Sequence, residues 1–360
     1  MSSAWCIVDD APVLGGAELF ALRLAGVLAE RGDTVSVATP ATGSLADPVR
    51  SAGLTTVALG LPRLKPATSV RWPAGIWQTR RLLSELAEND TIVVANTAGA
   101  QAYCAAAAAT LGRRVRLVHL VHEQLTADRR SARLVLGRSG AIVANGSNTL
   151  AAYEAALGRT DIGKLNNFVD VDAIAAGACP PPAGASGARP VVGVLGRMTP
   201  EKGVVEAVEE LAQSTASWSR CLIAGPTQDA RYAAIVAARI DALGLADRIE
   251  VLGPVEVLEF IDRLDVLLVP STGTEGQPTV VLEGLSRGRP VVIREHMASA
   301  DFDGLPVVSY RDAATLQVAL NGLPEVGAAS RSEIARRFGP DQAITTLQAA
   351  ATRMAPAARK

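Results

Sequence analysis

Two acids near the start of a single helix are the chain's most suggestive chemical feature. Glu275 and Glu283 lie in the stretch Thr274-Glu275-Gly276-Gln277-Pro278-Thr279-Val280-Val281-Leu282-Glu283-Gly284-Leu285. The run Asp265 to Ser271 before it is short, apolar and closed by Pro270, which predicts a buried parallel strand entering a loop. Pro278 suits the first helical turn, where a missing N–H costs nothing. Arg287-Gly288-Arg289-Pro290 then predicts a tight turn, and Val291-Val292-Ile293 another strand. A helix N-terminus attracts anions through its free N–H groups. Two carboxylates there are poor phosphate ligands but good acceptors for the hydroxyls of a ribose or a sugar. Spacing alone fits equally well two ordinary acids favoured by the helix dipole.

A second stretch supplies the opposite charge. Pro190 to Leu195 predicts a strand, Gly196-Arg197-Met198-Thr199-Pro200-Glu201-Lys202-Gly203 a loop, and a helix begins near Val204. Arg197 offers a planar fork of donors and Lys202 a point charge, a pairing suited to an anion. Two solvated surface cations would look the same in isolation. Near the N-terminus, Trp5 to Val8 predicts a strand, Gly15-Gly16-Ala17-Glu18 a turn, Leu19 to Glu30 a helix ended by Gly32, and Val35 to Ala38 a strand. Gly15 and Gly16 can let the backbone approach a phosphate or sugar, or simply make a tight turn. The Gly-x-Gly-x-x-Gly of a dinucleotide fold is absent. The strand Val115 to Glu123 ends in His122 and Glu123, with His119 inside it. Other strand ends fall at Asn96 and at Asn145-Gly146-Ser147. Ligands of open α/β sheets gather beyond such carboxyl ends, although a lone histidine there can equally be structural.

These elements alternate as strand and helix along the chain, so the fold class is α/β with parallel sheets. The 360 residues leave room for two domains. The Gly/Ala/Pro-rich segment 177–190 is linker chemistry. It divides a first domain, 1–176, from a second, 191–339. Hydrophobic residues make up 49% and aromatics only 4%, so the cores must be built from Ala, Val and Leu. A net charge of −1 argues against nonspecific nucleic-acid binding. Four scattered cysteines, Cys6, Cys104, Cys179 and Cys221, suit a reducing cytoplasm and form no Cys-x-x-Cys zinc pattern. Asp9 and Asp10 interrupt the first apolar run, so no signal peptide is expected. Ala102 to Leu111 is too short to span a bilayer. This composition leaves peripheral membrane contact open.

The framing Pro-Ser-x-x-x-Glu-Gly followed by Leu-Glu-Gly-x-x-x-Gly-x-Pro-Val-Val, at residues 270–292, resembles the donor-site signature of retaining GT-B glycosyltransferases, with family 4 the nearest. Gly-Arg-x-x-x-x-Lys-Gly at 196–203 is similar to that family's donor loop, and Gly-Gly-Ala-Glu at 15–18 to its opening. Lys164 to Asp172 resembles the segment closing its first domain, with Phe168 in place of the usual Gly. The resemblance implies two Rossmann-like domains facing across a cleft, with a helix from about 340 crossing back to the first. It implies transfer of a sugar, with its anomeric configuration kept, from a nucleotide-diphospho-sugar to the hydroxyl of a sugar, glycolipid or small-molecule acceptor. Arg197 and Lys202 would hold the diphosphate, Glu283 the ribose and Glu275 the sugar hydroxyls. His122 would lie by the sugar near C6 or by the developing positive charge. Gly276, Gln277 and Thr279 would line the donor end of the helix, and the backbone from Gly253 to Val255 the base. No Asp-x-Asp metal motif is read, so neither Mg²⁺ nor Mn²⁺ is expected to be required. Where the family often has a further Gly-Gly loop, this chain has Arg294-Glu295-His296. Two rival readings are an epimerase or hydrolase of the same fold and a non-catalytic sugar-nucleotide-binding subunit.

Overall fold

The computed structural model describes residues 3–11, 14–62, 66–111, 115–122, 133, 135–136, 140–176, 189–273 and 275–354. Segment 177–188, which holds most of the expected linker and Cys179, lies outside them, as do Glu123 and Thr274. The chain divides into two compact units, one of residues 1–167 with 340–360 and one of residues 168–339.

The first unit is built on seven parallel strands, β1 (Ala4–Val8), β2 (Thr34–Thr39), β3 (Thr55–Ala58), β4 (Ile92–Ala95), β5 (Arg116–Val121), β6 (Ala141–Asn145) and β7 (Gly163–Leu165). Their order is β3-β2-β1-β4-β5-β6-β7. Chain order therefore reverses between β1 and β4, which makes that edge the topological switch point where such sheets bind ligands. Strands β4 and β6 are buried at every position, as expected where helices cover both faces of a parallel sheet. The terminal helix Pro340–Arg353 packs on β5, β6 and β7 of this unit, burying Ala343, Ile344, Leu347, Ala350 and Ala351. Arg31, at the end of the helix Gly16–Glu30, pairs with Asp341 of that helix.

The second unit carries six parallel strands, β8 (Val191–Leu195), β9 (Arg220–Ala224), β10 (Ile249–Gly253), β11 (Val266–Val269), β12 (Val291–Arg294) and β13 (Val307–Tyr310), in the order β10-β9-β8-β11-β12-β13. Here the switch point lies between β8 and β11. One face buries Val208, Leu211, Trp218 and Leu316, and the other Phe260, Leu267, Leu282 and Phe338.

Two expectations change. Residues 168–176, expected in the first domain, pack in the second unit. Val169 and Val171 belong to its core, the Val169 N–H donates to the Phe338 carbonyl at 3.1 Å, and Arg287 donates to the Ile174 carbonyl at 2.6 Å. The Arg287 guanidinium also grips both Asp262 oxygens at 2.6 Å. The second change is that Val291 to Ile293 is not the last strand. β13 adds one at the sheet edge, where a half-exposed run behind Pro306 lacks the continuous apolar signature of a central strand.

Candidate functional site

Site chemistry in the second unit gathers at its switch point. The loop after β8 tightens into a short 3₁₀ turn, Pro200–Lys202, ended by Gly203 at φ +66°. That left-handed conformation favours glycine, and a Cβ there would meet the Pro270 carbonyl oxygen at 2.1 Å. The close approach sets this loop against the one that follows β11. The Glu201 carbonyl accepts from the N–H groups of Thr272 and Gly273 at 2.9 and 3.0 Å. Lys202 Nζ then donates to Glu275 Oε1 at 2.8 Å, with each side chain about one-fifth to one-quarter exposed. Two motifs some seventy residues apart thus meet in one ion pair.

Arg197 lies further out, 3.7 Å from Glu201 and within 3.4 Å of Gln228. Glu283 is the fifth residue of the helix Thr279–Ser286 and is buried. Gln277 is buried before it, and Gly276 and Thr279 are half-buried. Pro278 sits at the N-cap, one position ahead of the expected first turn. The Gly253 carbonyl accepts from the Gly225 N–H at 2.8 Å, joining the turns after β9 and β10, and Val255 is half-buried just beyond.

In the first unit, the strand ends are joined by a chain of side chains. Asp9 follows β1, Asn96 follows β4, His122 follows β5, Asn145 ends β6 and Asn167 lies beyond β7. Asn96 Nδ2 donates to Asp9 Oδ2 at 2.7 Å and to the Ala17 carbonyl at 3.0 Å. Asn96 Oδ1 lies 2.8 Å from His122 Nε2. Asn145 Nδ2 lies 3.1 Å from His122 Nδ1 and donates to Asn167 Oδ1 at 2.7 Å. Phe20 meets the His122 ring edge-on, with centroids 5.2 Å apart. Gly15 caps the helix Gly16–Glu30, and Glu18 reaches back to accept its N–H at 2.7 Å. A Cβ on Gly16 would meet nothing within 4 Å, so the space above it is open.

Desolvation pushes the His122 and His119 pKa values down to about 4. Both rings are neutral at pH 7. The unfolded chain binds these protons more readily, so their contribution to stability falls as pH drops from about 6.5 towards 4. Burial likewise raises the Asp9 pKa, and the bond from Asn96 opposes the rise.

Against this geometry stand the family comparisons. Residues 14–173 match the model of Glycosyltransferase Family 4, and residues 189–323 match that of Glycosyl transferases group 1. The chain belongs to these glycosyltransferases. Its fold is shared by solved structures at low identity. Anabaena HepE, solved in complex with UDP and glucose, is 19% identical, with 98% of this chain and 99% of that one covered and a TM-score of 0.75. A glycosyltransferase from Rickettsia africae is 14% identical over 98% of each chain, with a TM-score of 0.78. The lipopolysaccharide outer core galactosyltransferase WaaB is 17% identical over 96% of this chain and 99% of that one, with a TM-score of 0.74. No curated protein sequence matches. These relatives share the GT-B fold.

Two features of this glycosyltransferase go beyond what the sequence showed. In place of a further Gly-Gly loop, Arg294 donates to the Pro270 carbonyl at 3.0 Å and pairs with Glu210 at 3.0 Å. His296 lies 3.3 Å from the Gly273 carbonyl. Together they clasp the loop that leads to Glu275. The second concerns Asp-x-Asp, which the sequence reading missed and which occurs twice, at Asp170-Val171-Asp172 and Asp301-Phe302-Asp303. Asp170 caps a helix by accepting from the Ala173 N–H at 2.9 Å, and Asp301 accepts from Ser299 at 3.0 Å. Among the described residues, no group of three or more His, Cys, Asp or Glu side chains is placed to hold a metal.

Proposed function

We propose that this glycosyltransferase moves a sugar, with retention, from a nucleotide-diphospho-sugar donor to an acceptor hydroxyl in glycan or glycolipid synthesis. The acceptor oxygen bonds to the anomeric carbon on the face that the diphosphate leaves. The bond to the diphosphate oxygen breaks, and that oxygen takes the acceptor's proton. Lys202 and Arg197 neutralise the leaving diphosphate. Glu275 accepts from the sugar hydroxyls and Glu283 from the ribose. Gly276, Gln277 and Thr279 line the donor end of the helix, while Gly253 to Val255 offer backbone to the base. Gly15 and Gly16 admit the donor to the switch point of the first sheet. Positive charge from Lys202, Arg197 and a helix end makes the reaction independent of metal.

The observation that carries this reading is the 2.8 Å pairing of Lys202 with Glu275 at the β8/β11 switch point. It puts a phosphate-seeking cation beside a hydroxyl-seeking carboxylate. HepE, solved with UDP and glucose, supports the same donor class. A thermal-shift screen over sugar nucleotides, followed by turnover with the stabilising donor, tests it. A chain stabilised by no sugar nucleotide would refute the donor assignment.

The same reading includes contact with an anionic membrane face. No described helix is long and apolar enough to cross a membrane. Between Asp47 and Glu85 the chain carries no acid. Val70 and Trp77 are exposed there beside exposed Arg71, Arg80 and Arg81. Co-sedimentation with anionic vesicles that is unchanged in Trp77→Ala would refute it.

A further inference from the structure

We infer that Asn96 is a positioning residue, which holds His122 in one neutral tautomer and ties its ring to the first turn of the helix Gly16–Glu30. The argument is one of donors and acceptors. Asn96 Nδ2 faces a carboxylate oxygen of Asp9 and the carbonyl of Ala17. A backbone carbonyl only accepts, whatever the pH, so the amide cannot be turned round without facing oxygen to oxygen. Asn96 Oδ1 is therefore the atom that faces His122 Nε2, at 2.8 Å, and Nε2 must carry the hydrogen. Across the ring, Asn145 Nδ2 points at Nδ1 and gives its other hydrogen to Asn167. Nδ1 is then an acceptor with a bare lone pair. A second proton on the ring would set N–H against N–H, and with burial this keeps the imidazole neutral.

This has a consequence for the reaction and rests on the proposed function. Both ring nitrogens are in use, so His122 neither donates nor takes a proton at working pH. It offers the donor site a fixed, uncharged surface. The same Asn96 amide spans from His122 to Ala17, two residues beyond Gly15. The glycine turn and the histidine therefore move as one piece. Other ionisable groups at these strand ends have their own partners. Asp10 accepts from Thr97 and from the Ala100 N–H, and Glu18 accepts from the Gly15 N–H. His119 is fully buried within β5.

The test is proton-detected ¹⁵N spectroscopy of the histidine side chains in the full chain, assigned with His122→Gln and run from pH 5.5 to 8.5. The expected result is a single Nε2–H signature for His122 that does not titrate. Asn96→Asp sets a second carboxylate against Asp9, so the two hold one proton between them, and the ring gains an anionic neighbour and proton affinity as that shared proton leaves. That variant is expected to titrate inside the window and to add an ionisation to the pH profile of kcat. Asn96→Ala is expected to populate both tautomers and to lower kcat roughly tenfold while moving the donor KM less. A wild-type His122 that titrates near its ordinary value, or carries its hydrogen on Nδ1, would overturn the inference. So would an Asn96→Asp protein with unchanged tautomer and pH profile. The spectra need no turnover, so they test the tautomer even if the donor assignment fails.

Discussion

Replacing Glu275 by Gln removes a charge while keeping shape, and it separates binding from chemistry at the Lys202–Glu275 pair. Lys202 Nζ sits 2.8 Å from Glu275 Oε1, and the two side chains are 24% and 20% exposed. A charge-assisted hydrogen bond of this kind is worth about 1.5–3 kcal/mol in a protected setting and about 0–1 kcal/mol on an open surface. At this intermediate exposure about 1 kcal/mol is a fair value. A diphosphate that recruits Lys202 competes with Glu275 for it. In Glu275→Gln that competition is gone, so a nucleoside diphosphate should bind as tightly as before or up to about fivefold tighter. Turnover should move the other way. Bonds from Glu275 to the sugar hydroxyls tighten as the anomeric carbon becomes positive, and losing them should lower kcat about ten- to hundredfold. Calorimetric titration with nucleoside diphosphates and steady-state kinetics read the two effects, with circular dichroism checking the fold. A variant whose diphosphate affinity falls tenfold alongside its activity would refute the reasoning.

Four further outcomes follow from the same geometry. Glu283→Gln should raise the donor KM about tenfold with little change in kcat, because a ribose bond is made equally in ground and transition states; unchanged nucleoside diphosphate affinity would contradict it. Gly16→Ala should fold normally, since the new methyl meets nothing within 4 Å, yet lose turnover as that methyl enters the open space; full activity would remove Gly16 from the site. Arg287→Ala strips the half-buried Asp262 of its bidentate partner and the Ile174 carbonyl of its donor, and should destabilise the second unit by about 2 kcal/mol, read from the urea midpoint of the buried Trp218 fluorescence. Turnover should survive EDTA; loss of activity that Mn²⁺ restores would contradict the metal-independent mechanism.

Much of this site could be read in the sequence because parallel strands leave an unbroken apolar signature and their loops begin where it stops. Gly196 to Gly203 and Pro270 to Glu283 are legible for that reason, and so is His122 at the end of β5. What could not be read is who neighbours whom. Asn96 and Asn145 mark strand ends in the sequence, but they become partners of His122 only when β4, β5 and β6 lie side by side. Three successive strands each ending in a polar side chain was the available signal. The unit boundary shows the same limit. Val169 and Val171 read as apolar residues near the first domain, while the groups that claim that segment, Phe338 and Arg287, stand far along the chain. The Lys202–Glu275 pair closes a similar gap in sequence. Arg294 stands out in the sequence as a departure from the family's glycine loop, but its role does not, because that role comes from the Pro270 carbonyl and Glu210, neither visible from its own neighbourhood.

The proposed chemistry requires retention, with the acceptor bonding on the face that a diphosphate held by Lys202 and Arg197 leaves. The most direct measurement is the anomeric proton coupling of the first product, followed by NMR from an α-linked nucleotide-sugar that the thermal-shift screen identifies. The account predicts a newly formed α-linkage, with the small coupling of an axial–equatorial proton pair in a gluco-configured sugar. A β-linked first product would contradict it.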